Sequence, residues 1–324
     1  MTRRQRLELA AGWLGVVAAV GMLLVLVMGA TVTDTGSAQG CGRSWPLCQG
    51  RFIPEFAVST FIEFSHRAVT GVEGVLIVLL AVAALALYRR ERAVQVLVPL
   101  MVGALVLQAG MGAAAVMWPQ SALVLALHFG ISLIALATAA LTALYVGWPR
   151  TMRGLPSLPR SLSLATWGYL VYLYALVYTG AYVRHANDGA ACLSWPVCGT
   201  SGADAAAVAT NFLHRGAAGL AVVLAVALVV AYWRLAGNRQ DLLGGGLVLV
   251  LALLAQGAAG AFLVLTRLSL FGELLHAALS GVAFTAAAYL CLRVALSARS
   301  RAEEPSRPPD ARPSERNLAP TAPR

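Results

Sequence analysis

Two long apolar stretches of the chain begin with the same His-Arg pair: residues 66–88 read HRAVTGVEGVLIVLLAVAALALY, and residues 214–233 read HRGAAGLAVVLAVALVVAYW. A helix needs about 20 apolar residues to cross the roughly 30 Å of bilayer hydrocarbon. Each stretch therefore predicts a membrane-spanning helix with a histidine near one end.

The composition of the whole chain is that of a protein that crosses a membrane several times. Of its 324 residues, 59% are hydrophobic and 12% are charged, and the mean hydropathy is +0.74. A soluble domain of this length needs a larger polar share for its surface. We therefore predict an all-α membrane protein. Its eight transmembrane helices are expected near residues 12–31, 66–88, 94–116, 122–146, 163–184, 212–233, 242–265 and 271–297.

The arginines of the chain predict its topology. All 24 basic residues are arginine, and they concentrate before helix 1, after helices 2, 4 and 6, and after helix 8. Basic residues accumulate on the cytoplasmic side of membrane proteins. Both termini are therefore predicted to be cytoplasmic, and the net charge of +10 needs no nucleic-acid partner to explain it. Residues 298–324, rich in proline and charge, are predicted to form a disordered cytoplasmic tail.

The second half of the chain repeats the first at a nearly constant spacing. From the histidines onward the offset is 148 residues, as between His66 and His214. The same offset relates Gly71/Gly219, Gln108/Gln256, Gly112/Gly260, His128/His276 and Ser132/Ser280. Nearer the N-terminus it becomes 150 or 151, and these shifts fall in predicted external loops. The duplication predicts two pseudo-symmetric four-helix bundles, residues 1–150 and 151–297, related by an axis along the membrane normal.

Four histidines are expected near the outer ends of the even-numbered helices: His66, His128, His214 and His276. Two histidines on different helices of one bundle suit axial ligation of haem iron. The alternative is four interfacial histidines that bond only to backbone or lipid headgroups. Because both pairs recur at one spacing, we favour haem ligation over this alternative and over zinc. His185 has no counterpart and is expected to be a solvated loop residue.

Only one half has an acid beside its first histidine. Glu63 lies three residues before His66, whereas Asn211 stands at the corresponding position of the second half. Residues three apart on a helix share a face. The asymmetry favours chemistry in the N-terminal half alone, with Glu63 accepting a proton or stabilising a cationic intermediate. The alternative role for Glu63 is a helix-start carboxylate that favours the positive end of the helix dipole.

Arginines and glycines near the histidines suggest further contacts to a cofactor. Arg67 and Arg215 directly follow their histidines, and a guanidinium matches a haem propionate, although snorkelling to the interface is an alternative. The repeated glycines are expected to let helices or a flat macrocycle approach closely. They are Gly71, Gly112, Gly219 and Gly260.

Four of the five cysteines form two close pairs, each ending in Trp-Pro-x-Cys: Cys41 with Cys48, and Cys192 with Cys198. Their predicted external location favours two small disulfide loops. A structural role is favoured, and thiol–disulfide exchange remains open. Cys291 lies in an apolar stretch and is expected to be a buried thiol.

Together these features resemble the haem A synthase family over residues 10–297. The matching pieces are Glu63-x-x-His66-Arg67, the two Trp-Pro-x-Cys loops, His128, His214-Arg215 and His276. The resemblance implies an oxidoreductase of the cell membrane that converts a ring methyl group of haem O to a formyl group by successive hydroxylations. Its product would serve the assembly of a haem–copper terminal oxidase, and haem O synthase and oxidase assembly factors are the implied partners.

The resemblance also implies a division of labour between the halves. A resident haem b would be ligated by His214 and His276 in the C-terminal half, and the substrate haem O held by His66 and His128, both near the outer face. Glu63 would be the catalytic carboxylate. One position departs from the family pattern, because Thr33 stands where arginine is typical, whereas the second half has Arg184 there.

Two other classes of protein remain as alternatives. A non-enzymatic di-haem b electron carrier would hold two permanent haems and would not need Glu63. A membrane thiol–disulfide oxidoreductase would use a short reactive motif such as C-x-x-C, a spacing that neither cysteine pair has.

Overall fold

The computed structural model of the chain describes residues 1–118, 121–152, 155–199 and 204–303. Over these residues the protein is all-helical. The long helices are α1 Arg3–Asp34, α2 Val58–Tyr88, α3 Arg92–Met117, α4 Ala122–Gly147, α5 Arg160–His185, α6 Ala205–Leu235, α7 Gln240–Leu265 and α8 Leu270–Glu303. Short 3₁₀ helices lie in three connections, at Ser37–Gln39, Pro149–Met152 and Asp188–Ala191.

Eight helices of the described part of the chain are long and apolar enough to cross a membrane, which confirms the predicted number. Helix α8 continues to Glu303, and the rest of the predicted disordered tail, 304–324, lies outside the described residues. The largest differences are at α2 and α6, which begin at Val58 and Ala205, well before the apolar stretches predicted to start at residues 66 and 212.

The early turns of α2 and α6 were missed because they are polar on the buried side. Thr60 and Asn211 are only 3% and 5% exposed. The Thr60 hydroxyl donates to the carbonyl oxygen of Gly40 at 2.7 Å, and Asn211 Nδ2 donates to that of Asp188 at 2.8 Å. Each helix is thus extended by bonds to the loop above it, and its histidine lies about two turns inside the helix.

Short connections between most consecutive helices place them antiparallel and side by side. Helices α1–α4 pack on one another, as do α5–α8, and the two sets meet through α4 with α5 and through α8 with α1 and α4. Apolar residues of α8 belong to both buried clusters. We call the end of the molecule formed by residues 35–57 and 186–199 the disulfide end.

At the opposite end, a buried ion cluster fixes α7 against α8. Asp241 accepts hydrogen bonds from Arg239 Nε and Nη2 and from Arg293 Nε, all at 2.7 Å. The two arginines are only 5% and 4% exposed. Buried charges are tolerated only when they are paired and hydrogen-bonded in this way. Arg239, expected from the sequence to be a loop arginine, is therefore part of the packing.

The closest helix crossing joins α1 to α4 through glycine. A Cβ on Gly12 would lie 2.5 Å from the Cα of Gly147. Such an approach is possible only without side chains, as is common between membrane helices. This contact brings the backbones of α1 and α4 together at the end opposite the histidines.

Replacing Gly12 by alanine is expected to lower the midpoint of thermal unfolding, because the new methyl group forces α1 away from α4. Overpacking of this kind costs about 1–3 kcal/mol. The matched control is Gly103→Ala in α3, where an added Cβ meets nothing within 4 Å. Alanine favours a helix over glycine by about 1 kcal/mol, so the control should be unchanged or more stable. Equal midpoints for both variants in detergent would contradict this packing.

Candidate functional site

The four repeated histidines lie on the even-numbered helices, within three turns of the disulfide end. All four are half-buried. His66 and His128 belong to the first set of four helices, and His214 and His276 belong to the second. The structure thus places one predicted pair near the disulfide end of each set.

Each histidine ring packs against a glycine on the preceding helix. The four contacts are Gly29 with His66, Gly112 with His128, Gly180 with His214, and Gly260 with His276. They differ in tightness. A Cβ on Gly180 would lie 2.6 Å from His214 Cε1, and one on Gly260 would lie 3.1 Å from His276 Cε1. In the first half the corresponding distances are 3.4 and 3.7 Å, so its rings are less confined.

The prediction that repeated glycines permit close approach is confirmed for two of the four. Gly112 and Gly260 contact histidines as described. Gly71 and Gly219 have nothing within 4 Å of an added Cβ and are exposed on the surface of their helices. Gly29 and Gly180 also contact histidine rings. They align with each other in the repeat, but nothing in the sequence indicated that they would lie against the rings.

One histidine is held in a defined tautomer. The Thr179 hydroxyl donates its single proton to the carbonyl oxygen of Leu176 at 2.7 Å, and its oxygen lies 2.9 Å from His214 Nδ1. Because a hydroxyl has only one proton, Nδ1 must be the donor in the second contact. His214 therefore has its proton on Nδ1 and a free lone pair on Nε2, the arrangement that an outer partner imposes on a metal ligand.

The other three histidines have no such partner. The Nδ1 atoms of His66, His128 and His276 are buried without a hydrogen-bond partner among the described residues. Buried polar groups are normally paired, so these three Nδ1 atoms lack the kind of partner that Thr179 provides for His214.

Glu63 is buried beneath the first disulfide loop. Its exposure is 3%. One carboxylate oxygen, Oε2, accepts the backbone N–H of Cys41 at 2.7 Å, and the other, Oε1, is paired with Arg67. Arg67 Nη1 in turn donates to the carbonyl oxygens of Ser44 and Leu47 at 2.8 and 3.1 Å. The Glu63–Arg67 pair therefore anchors the loop to α2, one turn above His66.

The second half anchors its loop at the same place with different chemistry. Arg215 donates three hydrogen bonds to loop carbonyl oxygens, those of Cys192, Ser194 and Pro196, at 2.9, 2.8 and 3.1 Å. Asn211, at the position of Glu63, bonds to backbone carbonyls instead of to the arginine. An anchor without an acid is thus sufficient for this architecture, and among the described residues only the first half has the ion pair at this position.

These contacts give both arginines a structural role that the sequence did not predict. The guanidinium groups of Arg67 and Arg215 bond to their own loops, and their proposed contact with a haem propionate stays a prediction. The same holds for catalysis by Glu63.

The two predicted cysteine pairs are disulfide-bonded, with Cα atoms 4.5 Å apart for Cys41–Cys48 and 4.9 Å for Cys192–Cys198. All four are buried, whereas Trp45 and Trp195 of the same loops are about half exposed, at 51% and 53%. Cys291 is a buried free thiol, as predicted. Hydrogen bonds to Arg67 and Arg215 place the loops over the histidine pairs.

Arg184 links the two halves at the disulfide end. Its Nη2 lies 2.6 Å from Asp34 Oδ1 on α1, and its Nε lies 3.7 Å from Glu273 Oε2 on α8. Sequence reasoning missed Glu273, although it precedes His276 by three residues, as Glu63 precedes His66. It also missed Asp34 as a partner for Arg184. His185 was wrongly expected in a solvated loop; it is the last residue of α5 and is half-buried.

A second overlooked acid is Glu73, in the middle of α2 and only 2% exposed. The signal was present, since an acidic residue inside a predicted membrane span is a functional candidate in its own right.

The fold and site define a helical membrane protein with paired imidazoles at one end, and comparison with known proteins identifies its relatives. The family model described as cytochrome oxidase assembly protein (COX15-CtaA) matches residues 11–288. The chain is 38% identical over 287 residues to a protein of Bacillus licheniformis named Heme A synthase, covering 87% of this chain and 95% of that relative. It is 39% identical over 282 residues to the Heme A synthase of Symbiobacterium thermophilum, covering 83% and 90%. The chain therefore belongs to the COX15-CtaA family and is a multi-pass membrane protein.

Replacing Arg67 by glutamine is expected to free the first disulfide loop, because the Glu63 carboxylate is left buried without its cation. Breaking a buried pair from one side typically costs about 3–5 kcal/mol. In the double variant Glu63→Gln/Arg67→Gln, no charge is stranded and part of the loss should be recovered. The measurement is the rate at which a reductant exposes Cys41 and Cys48 to a maleimide label.

Arg215→Gln serves as the control for this experiment, since no acid is paired with Arg215. Its own loop should loosen through loss of hydrogen bonds, without rescue by a change at Asn211. Equal labelling rates of the single and double Arg67 variants would contradict the anchoring role of the ion pair.

Proposed function

We propose that this protein is a haem A synthase that oxidises a ring methyl group of haem O to a formyl group by successive hydroxylations, for the assembly of a terminal oxidase. The main support is the presence of both imidazole pairs in a chain whose relatives are named Heme A synthase over most of its length. That name favours an enzyme over the di-haem carrier and over the thiol–disulfide oxidoreductase. Haem O synthase and oxidase assembly factors are the proposed partners.

The proposed architecture is two pseudo-symmetric four-helix bundles in the plasma membrane, residues 1–150 and 151–297, with both termini cytoplasmic. Each set of four helices has one histidine pair and one anchored loop at the disulfide end. The arginine distribution supports an external location for that end, and so do the two disulfide bonds, which persist in oxidising compartments.

His214 and His276 are the proposed axial ligands of a resident haem b in the C-terminal half. The residues fit this group: Nε2 of His214 has a free lone pair, and Gly180 and Gly260 hold the two rings tightly. Such confinement favours a permanent cofactor, because ligands locked before binding lose little entropy. When bound, haem b supplies one-electron chemistry.

The N-terminal half is the proposed site of the substrate, haem O, positioned by His66 and His128. Their looser packing against Gly29 and Gly112 suits a ligand that must enter as substrate and leave as product. Neither ring has a hydrogen-bond partner for Nδ1 among the described residues, in contrast to His214, so the orientation of both rings is less constrained.

Glu63 is the proposed catalytic carboxylate, because it is the acid nearest to His66 along α2. The N–H of Cys41 and the guanidinium of Arg67 each bind one of its oxygens and fix its orientation. In the proposed reaction it accepts a proton from the reacting group, and the loop that it anchors excludes bulk water from the site.

The proposed function is tested by mass analysis of haems extracted from the full-length protein, expressed in a host that makes haem O. The parental protein should yield haem A and haem b. Glu63→Gln should retain haem b and form haem A about 100-fold more slowly, the usual size of a lost acid–base contribution. The control is Glu55→Gln, an exposed acid of the same loop paired with Arg51. A parental protein that holds haem b and never forms haem A would be an electron carrier.

The assignment of the resident haem is tested by matched glycine substitutions. In Gly180→Ala the new methyl group collides with the His214 ring, so purified protein should lose most of its haem b. In Gly29→Ala the same change makes ordinary contact with His66, and haem b should remain. The measurement is the haem b to protein ratio from the absorption spectrum. Loss of haem b in the Gly29 variant alone would reverse the assignment of the two halves.

A further inference from the structure

Glu73 is a buried carboxyl in the middle of a helix long and apolar enough to cross the membrane. It lies on α2, seven residues beyond His66, so it is about 10 Å deeper in the bundle at about 1.5 Å per residue. Its Oε1 is buried without a hydrogen-bond partner among the described residues. An acidic group at this depth is costly, and such residues usually have a functional reason.

Room for the carboxyl is made by a glycine on α1. A Cβ on Gly21 would lie 2.0 Å from Glu73 Oε2, so no other residue fits there without displacing the acid. The next residue of α1, Met22, accepts a weak contact of 3.9 Å from Gln108 Nε2 of α3. The Gln108 carbonyl oxygen is likewise buried without a partner in the described structure, and the residue is 4% exposed. The Glu73 carboxyl thus contacts Gly21, and the amide nitrogen of Gln108 contacts the next residue of α1.

Polar side chains of α2 and α3 lie between the depth of Glu73 and the depth of the histidines. His66, Thr70 and Glu73 follow at spacings of four and three residues, which places them on one face of α2. The Thr70 hydroxyl donates to the carbonyl oxygen of His66 at 2.7 Å and retains lone pairs for a further donor. Gln108 lies one turn below Gly112, the residue that packs on His128.

The second half lacks this feature. At the offset of 148 residues, Ala218 and Ala221 replace Thr70 and Glu73. Gln256, the counterpart of Gln108, donates to Ser280 of α8 at 2.7 Å, and its carbonyl oxygen is likewise buried without a partner among the described residues, so the glutamine is common to both halves. Because the same architecture forms with two alanines, neither the hydroxyl nor the carboxyl is needed for packing. Both occur only in the half assigned to the substrate.

We propose that Glu73 is a proton-exchanging group for the N-terminal site, connected to it through Thr70 and through water bound by the free oxygens of Glu73 and Gln108. This inference rests on the proposed function, in which a methyl group becomes a formyl group and C–H bonds are broken. A proton released by this oxidation moves along the path to the Glu73 carboxylate and forms an O–H bond. That bond breaks when the proton is transferred to water, which restores the carboxylate. The electrons of the broken C–H bond are taken up by a one-electron oxidant, the class of chemistry that haem b supplies, and not by Glu73.

Glu73→Gln tests the proposal on the full-length protein, because the amide has the same size but cannot exchange a proton in this way. With haem O supplied, the rate of haem A formation should fall about 10- to 100-fold while the haem b content stays parental. Glu73→Asp should recover part of the rate. Two substitutions of Thr70 form a matched pair. Thr70→Val removes the hydroxyl and should slow haem A formation, whereas Thr70→Ser keeps the hydroxyl and should form haem A at nearly the parental rate.

An infrared difference spectrum between the oxidised and reduced haem-loaded protein gives a readout that does not depend on turnover. The parental protein should show a carbonyl band of a protonated carboxylic acid that is lost in Glu73→Gln and kept in Glu63→Gln. A purely structural Glu73 would leave no such band.

The possible results separate the two proposals. Parental haem A formation in Glu73→Gln, or a band that survives in this variant, overturns the role of Glu73. A parental protein that forms no haem A overturns the proposed function, and the infrared band alone then decides whether Glu73 exchanges a proton. If Glu73→Gln and Glu73→Asp both lose haem b, the role of Glu73 is in packing and the inference is overturned.

Discussion

In the second half, the rings of His214 and His276 can lie between helices because the residue facing each on the preceding helix is glycine. A Cβ at Gly180 or Gly260 would lie 2.6 or 3.1 Å from the ring, whereas the corresponding distances of 3.4 and 3.7 Å in the first half are ordinary contacts. The positions of His214 and His276 therefore depend on these two glycines. The glycine–histidine contact therefore explains how an apolar bundle accommodates a polar site near one end.

Loops at the disulfide end are fixed in the same position in both halves by different chemistry. In the first half a buried ion pair, Glu63 with Arg67, bonds to the loop; in the second half Arg215 and Asn211 do so without an acid. Duplication thus preserved the geometry of the anchor while its charge differed. The acids of the first half, Glu63 and Glu73, are additions to a framework that stands without them, which is why we connect both with chemistry.

Much of this fold was predictable from residue patterns. The number of helices followed from apolar stretches, and the pairing of histidines and of cysteines followed from the constant offset. The predicted helix boundaries were wrong where a polar side chain is buried, as at Thr60. Hydropathy cannot distinguish a polar residue in water from one that is hydrogen-bonded beneath a loop. The same limitation placed His185 in solvent and left the burial of Arg239 unpredicted.

Length, hydropathy and internal repetition depend only on the order of residues, so they specified the helices, the duplication and the four histidines before any contact was known. Distances between side chains far apart in the chain depend on how the helices pack. Only the folded structure could therefore assign Arg67 to the loop of Ser44, pair Arg184 with Asp34 of the other half, and fix the proton of His214 through Thr179. The two histidine pairs also differ in how tightly each ring packs against the glycine that faces it. The residues at matching positions are identical, so only the folded structure shows this difference.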